Sequence, residues 1–116
     1  MKTRQYLRVP LLLPVRIKAV DSDQDFELAR IEDIGWGGVF VRRNPPLELG
    51  ARVIIQFLMS DDSVAMEIWG TAVRERAPKA GRPGGNGIAF QEVDDNTRSL
   101  IQKMVDSIIQ PLFPKL

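Results

Sequence analysis

The sequence predicts an all-β domain that ends in one helix. Six short apolar stretches, separated by turn-forming residues, recur between Val15 and Val93. None is followed by a helix-length segment, which argues for an antiparallel barrel or sandwich and against a βαβ fold. Beyond Asp95 the apolar spacing changes to that of an amphipathic helix. At 116 residues the chain fits one domain with a core large enough to fold without staples.

Residues 1–11 read as a flexible, irregular N-terminal segment, residues 12–93 as the β-structure and residues 95–110 as the helix. Val15-Arg16-Ile17-Lys18-Ala19-Val20 alternates apolar and basic residues, as a half-buried strand does. Asp21 to Asp25 is a polar turn. Glu27 to Ile34 is a second strand whose broken alternation predicts a bulge. Gly37-Gly38 turns the chain into Val39-Phe40-Val41, and Asn44-Pro45-Pro46 stops that third strand. Arg52 to Met59 and Ala65 to Arg76 are the fourth and fifth strands. Lys79 to Gly87 is a glycine-rich loop, and Asn86-Gly87 opens the sixth strand, Ile88 to Val93. Leu100, Ile101, Met104, Val105, Ile108 and Ile109 then form one helical stripe. Asp95 or Asn96 is its expected N-cap and Pro111 its expected stop.

Composition narrows the chemistry. There is no cysteine, so no disulfide and no thiolate metal site, in keeping with a reducing cytoplasm. There is no histidine, which removes the commonest general base and metal ligand. No ordinary catalytic triad can form, and the expectation is a protein that is not an enzyme, with no catalytic residues, no cofactor and no metal. The net charge of +1 provides no bulk field for duplex nucleic acid. No segment reaches the roughly 20 apolar residues of a membrane span. Asp21, Asp23, Asp25 and Glu32 imitate the spacing of a calcium loop, but Phe26 stands where the sharp turn needs glycine. Gly81 to Gly87 lacks the lysine and following helix of a phosphate-binding loop.

Two segments carry binding chemistry. Arg4 and Arg8 are four positions apart, so they share a side in either an extended chain or a helical turn. Extended, their Cα atoms lie at most about 13 Å apart. A guanidinium fork pairs bidentately with planar acceptor edges or phosphates, and its plane stacks on aromatic faces. Asp33 precedes Gly35-Trp36-Gly37-Gly38. Its carboxylate can accept from a ligand's N–H donors or from turn amides, and the glycines permit either an anion-binding concavity or a tight turn with positive φ. Trp36 can stack on a base, though packing against the β-structure is the plainer role for its indole. Arg30, Arg42, Arg43 and Arg74 are candidate phosphate contacts if their strands border the site.

Together Arg4-Gln5-Tyr6-Leu7-Arg8 and Asp33-Ile34-Gly35-Trp36-Gly37-Gly38 resemble the signature of PilZ domains, RxxxR followed by D/N-x-S-x-x-G. Arg4, Arg8, Asp33 and Gly38 match, while Gly35 stands where the family pattern has serine. The resemblance implies a six-stranded antiparallel β-barrel with a C-terminal helix, and cyclic di-GMP as the ligand. It implies ligand contacts at Arg4, Arg8, Asp33, Gly35, Trp36, Gly37 and Gly38. Replacing the serine hydroxyl removes a hydrogen bond worth about 1.5–3 kcal/mol to a charged group. The Gly35 N–H is expected to remain for the ligand.

The expected function is therefore a cyclic di-GMP receptor whose N-terminal segment folds over the ligand and thereby regulates a protein partner in motility, adhesion or secretion. The alternative is a degenerate PilZ domain acting as a nucleotide-independent adaptor, docking through the helix stripe and Leu112, Phe113 and Leu116. The same stripe offers a homodimer contact. A third reading, a single-strand-binding barrel using Trp36 and Trp69, is opposed by the near-neutral charge.

Overall fold

The computed structural model describes residues 9–91 and 93–112, with side chains described for residues 12–91 and 93–106. Six strands, β1 (Val9–Ala19), β2 (Glu27–Ile34), β3 (Gly38–Arg42), β4 (Arg52–Leu58), β5 (Val64–Arg76) and β6 (Gly85–Gln91), are followed by the helix α1 (Asp95–Leu112). The strands close into an antiparallel barrel in the order β1-β2-β3-β6-β5-β4. Closure comes from β1, which pairs with β2 on one side and β4 on the other.

Alternation explains the interior. Val15 and Ile17 of β1, Ile31 and Ile34 of β2, and Val53, Ile55 and Phe57 of β4 are all buried in one cluster. Ile101 and Val105 of α1 join that cluster and Met104 packs against it. An isolated helix of this length would be marginal in water, so this burial is what holds α1. Leu100, at the edge of the same stripe, stays 44% exposed.

Glycine sets the β3–β6 seam. A Cβ on Gly38 would collide with the Ile88 carbonyl oxygen, and one on Gly85 with the Val41 carbonyl oxygen. These two positions let the strands approach closely enough to pair from Gly38↔Ala89 to Arg42↔Gly85.

Three elements differ from the sequence reading in ways that bear on the site. Strand β1 starts at Val9, inside the stretch expected to be irregular, because Val9 and Pro10 pair with Ile34 and Asp33. A register shift between Pro10 and Leu13 follows its first proline, and its second, Pro14, pairs with Arg30. Strand β6 starts at Gly85 and ends at Gln91, because Gly85 and Asn86 already pair with β3. The helix is capped by Asp94, not by Asp95 or Asn96. The Asp94 carboxylate accepts from the Thr97 N–H at 2.8 Å, which lowers its pKa from the ordinary aspartate value. Pro111 lies within the last turn, and the helix closes at Leu112.

Candidate functional site

The predicted bulge lies in β2. Ile31 pairs with Val41 and Asp33 with Phe40, leaving Glu32 as the extra residue. Ile31 and Ile34 are both buried, whereas Glu32 and Asp33 are half-buried. The bulge therefore turns two consecutive acids away from the core. Asp33 sits between two strands, with Pro10 of β1 opposite on one side and Phe40 of β3 on the other.

The corner after Asp33 is tightly bonded. The Gly35 N–H donates to the Gly38 carbonyl at 2.9 Å, and the Phe90 N–H donates to the Gly37 carbonyl at 2.9 Å. This corrects the expectation for Gly35, since its N–H is already used inside the turn. Positive φ is found at Gly50 and Gly81, in other turns. Gly38 is required instead by the close approach of Ile88. Trp36 is 42% exposed at the tip of the corner. It borders a groove of about 370 Å³ shared with Asp95, Arg98, Ser99 and Gln102 of α1. Its indole thus also lies beside the helix. Arg4 and Arg8 lie outside the described residues.

The arginines of the strands are differently employed. Arg42 donates from Nε to Glu32 at 3.0 Å. Arg43 donates to Glu27 at 3.2 Å and to the Pro45 carbonyl at 2.7 Å. Arg30, opposite Arg42, and Arg74, opposite Gly87, are exposed. Sequence reasoning missed Arg76. Its Nη1 and Nη2 donate to Glu32 at 3.3 and 2.6 Å, and its Nε donates to the Pro83 carbonyl at 2.9 Å. The Arg76 hydrogen bond, seconded by Arg42, holds the Glu32 carboxyl below the ordinary glutamate value despite partial burial. The period-two spacing of Arg74 and Arg76 was the available signal, but it names no partner.

Leu12, Glu32, Arg42, Arg76, Arg82 and Pro83 border an open groove of about 530 Å³ beside this cluster. That volume is within the range of about 300–1,000 Å³ usual for small-molecule sites. A third groove, of about 320 Å³, is bordered by Arg52 and Trp69, whose guanidinium carbon and ring centroid are 5.5 Å apart. Glu32, tied to two arginines, is not available as the twelfth-position ligand of a calcium loop.

A closed six-stranded barrel, an acid–glycine corner between two of its strands and one packed C-terminal helix define a small β-barrel module. The PilZ domain profile matches residues 2–107, and the chain belongs to the PilZ domain family. Its fold is similar to that of the cyclic di-GMP-bound PilZ domain of YcgR from Escherichia coli, at 17% identity and TM-score 0.71, covering 99% of this chain and all of that one. It is also similar to the motility inhibitor MotI (DgrA) of Bacillus subtilis, at 15% identity and TM-score 0.71, covering 99% of this chain and 54% of that one. The PilZ domain of CeSA, from a cellulose-synthesizing bacterium, aligns at 16% identity and TM-score 0.63, covering 87% of this chain and 96% of that one. This chain thus spans about half the length of MotI. No curated protein matches it by sequence. Among the described residues, no helix is long and apolar enough to cross a membrane.

Proposed function

We propose that the chain is a cytoplasmic, non-enzymatic receptor module for cyclic di-GMP. One observation carries the reading. Val9 pairs with Ile34 and Pro10 with Asp33, and Arg8 is covalently joined to Val9. Consecutive Cα atoms are about 3.8 Å apart, and Arg8 comes two residues before the strand partner of Asp33 in the sequence, which supports a shared site. Asp33 takes a guanine edge, Arg4 and Arg8 take guanine and phosphate, and the Gly35 to Gly38 corner admits the ligand. Ordering of the leader on the ligand then changes the surface offered to a protein partner in motility, adhesion or secretion. YcgR with its bound cyclic di-GMP supports the ligand class.

Calorimetric titration with cyclic di-GMP tests this on the wild type, Arg8→Ala and Asp33→Ala. Saturable binding is expected for the wild type, with each variant weaker by at least about tenfold, as loss of a charge-assisted hydrogen bond implies. Wild-type affinity in both variants would refute the assignment of the site.

The Gly35 corner favours one alternative, a nucleotide-independent adaptor. The family's serine hydroxyl is missing there and the Gly35 amide is spent on Gly38. Under that reading, high-micromolar ligand gives no heat, while a partner protein binds the chain stably through α1.

A further inference from the structure

Phe40 lies between Val39 and Val41, which are both in the core cluster, yet Phe40 is not part of it. It is nonetheless only 7% exposed. Its ring is therefore turned to the outer face and covered there. The cover is Arg76, whose guanidinium carbon lies 4.2 Å from the ring centroid. The edge of that guanidinium is bonded to Glu32 and the Pro83 carbonyl, and one face is on Phe40. The opposite face is what remains to line the groove between Leu12 and Arg82.

Such a cation is locked in plane and orientation before any ligand arrives. Guanidinium faces are weakly hydrated and accept flat π-systems. Arg82, at the rim of the same groove, is exposed and its guanidinium is unpaired among the described residues. Among the described residues, three guanidinium groups thus border the groove against one carboxylate, that of Glu32. This combination fits a planar base carrying a phosphate. The groove also adjoins the acid corner, since Glu32, which lines it, directly precedes Asp33.

The geometry points to a purine-nucleotide subsite in which the open face of Arg76 stacks under the base and Arg82 takes a phosphate. Arg76 belongs to neither sequence motif, and only the identity of the ligand, the second guanylate half of cyclic di-GMP, rests on the function proposed above. Glu32 and Phe40 act as positioning residues that hold the Arg76 plane.

The test is titration of the full chain with cyclic di-GMP and, separately, with 5′-GMP, for the wild type, Arg76→Lys, Arg82→Ala and Arg8→Ala. Lysine keeps the charge of Arg76 but loses its plane. Affinity is expected to fall about tenfold in Arg76→Lys, the scale of losing one base-stacking platform. Arg82→Ala, which removes no hydrogen bond of the folded chain, is expected to weaken binding without moving the melting temperature. In the wild type, the Arg76 Nε–H resonance shifts upfield under the ring current of the bound base. Wild-type affinity in Arg76→Lys and Arg82→Ala, with an unmoved Nε–H signal, overturns the subsite. If Arg8→Ala alone then abolishes binding, the cyclic di-GMP reading stands without the subsite. Loss in Arg76→Lys and Arg82→Ala with Arg8→Ala unaffected supports the groove and overturns the leader's role. A wild type that binds neither probe overturns both.

Discussion

Replacing Asn86 by alanine is the sharpest test of how this barrel is pinned. Asn86 is 1% exposed and is the one buried polar side chain among the described residues. Its Oδ1 accepts from the Leu47 N–H at 2.7 Å. Its Nδ2 donates to the Leu47 carbonyl at 2.9 Å and to the Arg74 carbonyl at 3.1 Å. One side chain thereby ties the β3–β4 connection to β5 across β6. Each such bond contributes about 1 kcal/mol net, and the orphaned Leu47 and Arg74 groups add a desolvation cost. Leu47 is only half-buried, so water recovers part of the loss. The expected destabilisation is about 2–4 kcal/mol, seen as a urea midpoint lower by about 1–3 M with an unchanged slope. Asn86→Asp sharpens the test, because it points a carboxylate at two carbonyl oxygens. It should destabilise more than alanine at neutral pH and recover as acid neutralises it. An Asn86→Ala midpoint indistinguishable from the wild type would refute the reasoning.

Glu32→Gln probes the double arginine pair. The folded-state pKa of Glu32 lies below its unfolded value of 4.5, so its carboxylate stabilises above that value and the contribution disappears as pH falls through the folded value. Wild type should therefore exceed Glu32→Gln by about 0.5–2 kcal/mol near neutrality, with the gap closing in acid; a gap independent of pH would contradict the pairing. Gly38→Ala forces a methyl against the Ile88 carbonyl, and overpacking of this kind costs at least about 2 kcal/mol. A thermal melt that matches wild type would show that β3 and β6 can separate without penalty.

Much of the barrel was legible because its interior obeys a simple rule. Val15, Ile17, Val53, Ile55 and Phe57 alternate with outward residues and are buried, so β1 and β4 declared themselves. The bulge in β2 was legible from its broken alternation. Strand order was not, because it depends on β6 pairing with β3 at glycines whose value is the side chain they lack. Asn86 reads in the sequence as the end of a glycine-rich loop that opens the sixth strand. Its real role needs Leu47, 39 positions away. At the site, Asp33 and Gly38 were found through local spacing. Arg76 meets Glu32 across 44 positions, and only the bulge turns Glu32 toward it. Asp94 was passed over as a cap for its neighbours, a shift of one residue in a run of three polar residues.

The ring of strands has a consequence for recognition. With β4 returning to β1, each described strand has a strand on both flanks, although β1 meets β4 only from Val15 to Ala19 and β5 meets β6 only from Trp69 to Arg76. A visiting peptide therefore finds only short unpaired stretches to extend, not a whole open sheet edge. Selection of a partner then rests mainly on side chains, in the grooves and on the outer wall. Recognition can be retuned at those positions, one residue at a time, while the ladder beneath stays whole.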